Sequence, residues 1–245
     1  MRAITLLKFF NETHPVWSLA ELTKYSGLNK TTAFRLLSAL ESEGLIMRNS
    51  DTETYTLGPE IIVLGGRALR SNNLRSLSRD ELKALADKTG ETATIEVLTG
   101  KEVLILEEVV GAHLFGGIPS IGMRWPAYAT STGKSILAYL PDGLVDSILK
   151  SPFPQFTPRT IGTLEALRKD LAKVRERGYA IADEELELGF TAVGAPIWNH
   201  DGDVAGAISI GGPSVRVNSQ RVPEVGRLVI ACARRISARL GHRKE

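Results

Sequence analysis

The sequence predicts an α+β protein in two unequal parts, a small helical region closed by a hairpin and a larger sheet domain flanked by helices. Three observations carry this. Residues 1–57 repeat apolar positions at helical spacing and then switch to two short β-type runs. Residues 58–80 form a loosely helical, arginine-rich stretch, and residues 81–245 alternate paired strand-like runs with amphipathic helices.

In the first part Ile4, Leu7 and Phe10 define one short helix, and Leu19, Leu22 and Tyr25 a second. Ser18 with Glu21 three residues on has the spacing of a capping box at the start of that second helix. Gly27 breaks the pattern, and a third helix is predicted over 30–42 with Ala33, Leu36, Leu37 and Leu40 on one face. The runs LIMRN and TYTL flank the polar SDTE and read as a small hairpin. The stretch 58–80 is predicted as a linker helix, against which the Gly65–Gly66 pair argues. In the third part TATIEVL with VLILEEV, and TAVGAPIW with DVAGAISI, read as two hairpins. A helix over 164–177, closed by Gly178, lies between them, and a last helix covers 223–240.

At 245 residues with 43% hydrophobic and 24% charged side chains, the chain has the composition of an ordinary globular protein of one large or two smaller domains. Its net charge of +2 does not announce a nucleic-acid partner, so any such partner must be met locally. Cys232, the single cysteine, excludes an internal disulfide framework and fits a reducing compartment. No apolar run approaches the ~18 residues of a membrane span, and the N-terminus lacks the features of an export signal. A cytoplasmic protein is expected, with no membrane partner.

The segment SLAELTKYSGLNKTTAFRLLSALESEGLI has the grammar of a helix-turn-helix. Burying the apolar stripe of the third helix leaves Lys30, Thr31, Thr32, Phe34, Arg35 and Ser38 outside it or on its flank. Such a helix meets base edges of double-stranded DNA through its first turns. Arg35 can pair bidentately with guanine, Phe34 can touch a thymine methyl, and Arg48 on the hairpin can sit near a phosphate. Pattern alone leaves open a three-helix cap with a solvated polar face. Residues 1–57 carry six basic and six acidic side chains, whereas 58–80 hold four arginines against two acids, a local surplus equal to the chain's net charge.

LAELTKYSGLNKTTAFRLLSALESEGLI and YTLGPEIIVLG resemble the winged helix-turn-helix of the IclR family of bacterial transcriptional regulators. PAYATSTGKSILAYLP, GYAIADEELELGFTAVGAPIW and ISIGGP resemble diagnostic stretches of that family's C-terminal domain, so the resemblance covers essentially the whole chain. It implies a winged-helix domain over 1–57, a linker helix over 58–80 and a GAF-like effector-binding domain over 81–245. It also implies dimers or tetramers on a palindromic operator, control by a small-molecule effector, and no enzymatic activity.

The resemblance places a ligand carboxylate on the backbone amides of Ser131 and Thr132, in accord with the affinity of helix N-termini for anions. The other side of the site is expected from 182–192 and Ser209, with Trp125, Tyr128 and Trp198 as walls or as ordinary core. In family members that resemble keto-acid sensors, the positions of Ala182 and Ala192 are acidic and cysteine. Two alanines predict a bulkier, less polar acid, unless neighbouring side chains fill the space.

Enzyme readings are weaker. TSTGKS resembles the end of a phosphate-binding loop, but Tyr128 stands where that loop needs its first glycine. ATSTG echoes a nucleophile elbow around Ser131, with alanine in place of its first glycine. A hydrolase would need one of His14, His113, His200 or His242 beside it. The run Asp183, Glu184, Glu185 and Glu187 lacks accompanying Cys or His at metal spacing and reads as a solvated loop with one or two structural hydrogen bonds. No metal and no cofactor are expected.

Overall fold

The computed structural model describes residues 2–112 and 121–243, so His113 lies outside the described residues. The chain divides into two compact units, residues 1–71 and 72–245.

In the first unit α1 (Arg2–Leu7), α2 (Leu19–Ser26) and α3 (Lys30–Ser42) precede the hairpin of β2 (Ile46–Asn49) and β3 (Thr54–Leu57). A two-residue strand β1 (Trp17–Ser18), too short to show in the sequence, joins the hairpin in the order β1-β3-β2. The capping box forms: the Ser18 amide donates to Glu21 Oε2 at 2.8 Å, and the Glu21 amide donates to Ser18 Oγ at 3.3 Å. Asn29, which the sequence reading passed over, caps α3 by accepting from the Thr32 amide at 2.8 Å. Leu6, Leu22, Leu37, Leu40 and Ile46 close the core, with Trp17 between His14 and Tyr25. Leu36, counted with the buried stripe in the sequence, is only half-buried.

The stretch 58–80 is two helices rather than one. α4 (Pro59–Ser71) runs through the glycine pair unbroken, and α5 (Asn73–Thr89) begins after Asn72, whose side chain accepts from the Arg75 amide at 2.9 Å. An asparagine that satisfies the first amides of a new helix ends the old one more effectively than two glycines whose backbones remain helical. None of the α4 residues is buried. Ile61, Ile62, Leu64, Ala68 and Leu69 fall along one broad side of it, opposite Arg67 and Arg70.

The second unit is a six-stranded antiparallel sheet in the order β6-β5-β4-β9-β8-β7. Its strands are β4 (Thr92–Thr99), β5 (Glu102–Val109), β6 (Arg124–Pro126), β7 (Ala180–Asp183), β8 (Phe190–Trp198) and β9 (Val204–Pro213). Both hairpins read from the sequence form, whereas β6 and β7, of three and four residues, were not read as strands. Side chains alternate between faces. Ala93, Ile95, Val193, Ile208 and Ile210 pack with α5 and α9 (Val222–Arg239) on one face. Val103, Ala180 and Ala207 pack on the other with α6 (Ser131–Leu137), α7 (Asp142–Ile148) and α8 (Leu164–Arg177).

Candidate functional site

In the first unit α3 buries Ala33, Leu37 and Leu40 and leaves Lys30, Thr31, Phe34 and Arg35 exposed, with Thr32 and Ser38 half-exposed. Phe34 keeps 44% of its surface in water. Arg48 is exposed on β2, but its guanidinium pairs with Glu53 across the hairpin, so a phosphate there must compete with an ion pair already made. An open groove of about 390 Å³ beside the start of α3 brings Arg2 together with Ser26, Asn29 and Thr32. Arg2 was invisible to the sequence argument because α1 meets α3 only through the fold.

In the second unit α6 lies on the sheet. Thr130 caps it by accepting from the Gly133 amide at 3.1 Å, which leaves Ser131 and Thr132 as its first two positions, without acceptors inside the helix. Glycine is required at Gly133 and leaves close packing at Gly194. A side chain on Gly133 would collide with the Ala127 backbone, and one on Gly194 would press on Ser131. Thr132 Oγ1 donates to Glu96 Oε2 at 2.5 Å, Thr94 Oγ1 donates to Glu96 Oε1 at 2.8 Å, and the Thr94 and Ser209 hydroxyls lie 2.9 Å apart. Ala180, Gly194, Ser209 and Thr94 form one row across the sheet, and Ala182, Ala192, Gly211 and Thr92 the next row on the same face.

Ser131, Thr132, Ser209, Ala182 and Ala192 are thus brought to one face, α6 against β7, β8 and β9. Trp125 stands on β6, at the opposite edge of the sheet from β7, and packs against the cluster that holds Tyr128 and Ala207. Tyr128 stacks on Phe153 at 4.6 Å, and its hydroxyl donates to the Pro154 carbonyl at 2.7 Å. Trp198 stacks on His242 and meets Tyr139 edge-on. The aromatic beside the two alanines is Phe190, whose ring occupies the space that Gly211 leaves open, so part of the volume is filled from the sheet itself.

The acidic run is solvated only in part: Asp183 and Glu187 are exposed, whereas Glu185 is buried in an ion cluster. Lys134, 1% exposed, places its Nζ 2.5 Å from Glu185 Oε1, 2.9 Å from Asp170 Oδ2 and 2.5 Å from the Ile181 carbonyl. Burial pushes the Glu185 carboxyl above its usual range, against the pull of Lys134. Thr157 and Thr160 donate to the carbonyls of Glu184 and Glu185, and Asp183 pairs with Arg159 at 2.8 Å. A lysine held in this way by two carboxylates is not placed to receive a phosphate. Of the described histidines, His14 packs on Trp17, His200 faces Asp201 and His242 lies by Trp198; none bonds Ser131. Among the described residues no group of three or more His, Cys, Asp and Glu is arranged to hold a metal ion, and no helix is long and apolar enough to cross a membrane.

Residues 1–50 match the IclR helix-turn-helix domain, and residues 66–238 match the C-terminal domain of the bacterial transcriptional regulator IclR. The chain is 33% identical to the HTH-type transcriptional regulator XynR of Escherichia coli, over 89% of this chain and 86% of that protein. It is 31% identical to the transcriptional repressor IclR of Escherichia coli, over 98% and 89%. Among solved structures, an IclR homologue from Microbacterium hydrocarbonoxydans complexed with 4-hydroxybenzoate superposes with a TM-score of 0.82 at 26% identity, covering 98% of this chain and 97% of that one.

Proposed function

This chain belongs to the IclR family of bacterial transcriptional regulators, and we propose that it is a homodimer whose two α3 helices read a palindromic operator under the control of an organic acid. It is a DNA-binding regulator rather than an enzyme, as its relatives are. The observation that carries the operator reading is the exposed row Lys30, Thr31, Phe34 and Arg35 on a helix anchored by Leu37 and Leu40. A balanced charge makes one winged helix a weak binder, because phosphate neutralisation supplies much of the affinity. Two copies joined through the apolar side of α4 raise the effective concentration of the second half-site. Arg35→Ala is expected to lower operator affinity by about 1–3 kcal/mol and to relax one base position per half-site. Unchanged affinity in a fluorescence-anisotropy titration would remove Arg35 from base contact.

The effector reading rests on the small row Ala182, Ala192 and Gly211 beside the Phe190 ring, on the sheet face where α6 begins with Ser131 and Thr132. An acid with an apolar ring packs on Phe190 and the alanines, whereas a small keto acid leaves polar groups unpaired there at about 1–3 kcal/mol each. The homologue complexed with 4-hydroxybenzoate supports this class of ligand. Calorimetric titration is expected to show binding of 4-hydroxybenzoate and none of pyruvate or glyoxylate. Tight binding of either keto acid with none of the benzoate would reverse the assignment.

A further inference from the structure

Glu96 stands on the α6 face of β4, buried to 6% exposure, and its contacts are hydroxyls rather than cations. No lysine, arginine or histidine among the described residues pairs with it. On β5, Glu108 adds a like charge and Glu107 is turned to Arg75 of α5, while Lys134 of α6 is engaged by Glu185 and Asp170. The neighbouring residues of β9 on this face, Ser209 and Ala207, carry no charge. Removing a carboxylate from water without a cation favours the neutral acid, and burial pushes Glu96 above the usual carboxylate range.

The hydroxyl pattern gives this protonation a consequence. An ionised carboxylate only accepts. Thr132 and Thr94 then both turn their protons toward Glu96, and Ser209 donates to Thr94, so all three hydroxyl protons point inward. A neutral Glu96 donates once. Directed at Thr132, its proton releases the Thr132 proton; directed at Thr94, it turns the Thr94 proton to Ser209 and releases that of Ser209. Either way one donor is freed on Thr132 or Ser209, two of the hydroxyl residues on the effector face.

We propose that Glu96 is a specificity-determining residue of this site, a neutral acid that offers a hydrogen bond through Thr132 or Ser209 to an anionic ligand and, once ionised, rejects it. The proposal rests on the effector reading above. Binding to the ionised form takes up one proton, which ends on the Glu96 carboxyl.

The test uses the full chain and Glu96→Gln, whose amide donates to one threonine and accepts from the other as the neutral acid does. Carbon-13 carboxyl shifts of the free protein, assigned by difference from Glu96→Gln, should place the Glu96 midpoint well above the ordinary ~4.3. Calorimetry with 4-hydroxybenzoate and with pyruvate on both sides of that midpoint should then show the bound acid weakening about tenfold per pH unit above it, the slope of one linked proton. Glu96→Gln should keep the low-pH affinity throughout. Pyruvate binding with this same break would overturn the aromatic-acid reading and leave Glu96 in its role. An ordinary midpoint, a flat wild-type profile through the midpoint, the same slope in Glu96→Gln, or binding of neither acid at low pH would overturn the role of Glu96.

Discussion

Replacing Lys134 by methionine is expected to cost about 3–5 kcal/mol of unfolding free energy, the usual penalty for stranding buried charge by removing one partner. Lys134 is enclosed, and Glu185 and Asp170 both lean on its ammonium group. Taking it away leaves two carboxylates facing each other with the Ile181 carbonyl. Neutralising the partners as well, in Lys134→Met with Glu185→Gln and Asp170→Asn, should recover a large part of the loss, because a buried ion cluster and an apolar replacement of similar volume are often close in energy. Urea denaturation of the three proteins measures this. A loss below about 1 kcal/mol in the single variant, the range of exposed ion pairs, would show that the cluster is solvated and that α6 is held by packing alone.

Ile62→Glu should leave the winged helix folded, since Ile62 is 78% exposed and surface changes of this kind stay within about 0.5 kcal/mol. Its effect is expected on DNA. A charge in the apolar side of α4 opposes the pairing of two copies there, and the avidity lost on separating two half-sites amounts to a factor of about 10²–10⁴. Nuclease protection should shrink from two half-sites to one. Full-length protection at unchanged protein concentration would place the contact between winged helices elsewhere.

The parts of this molecule legible in its sequence are those written in local periodicity. Leu37 and Leu40 announced the buried face of α3, Ser18 with Glu21 announced the start of α2, and Gly178 the end of α8. Short elements left no such signal: β6 and β7 hold too few residues for alternation to register. The break at Asn72 was hidden by two glycines that look like the better breaker, although a side-chain cap decides where the new helix begins.

The effector site shows a different limit. Ser131, Thr132, Ala182, Ala192 and Ser209 were named before the fold placed them on one face, but nothing in the sequence singled out Glu96. Its partner Thr132 is 36 residues away, and the partner of Lys134 in the acidic run is 51 residues away. The packing of α6 on the sheet and on the loop after β7 brings such pairs together, and no local pattern records it. For Tyr128 the sequence left wall and core both open, and its ring stacks on Phe153.

The central claim, that two copies of α3 read base edges in successive major grooves, is tested most directly by selecting bound duplexes from a randomised pool with the wild type and Arg35→Ala side by side. The wild type should select an inverted repeat with half-sites about 34–36 Å apart or a multiple of that, and the variant should relax one position in each half. A selected site without symmetry, or the same base preference for both proteins, would contradict the claim.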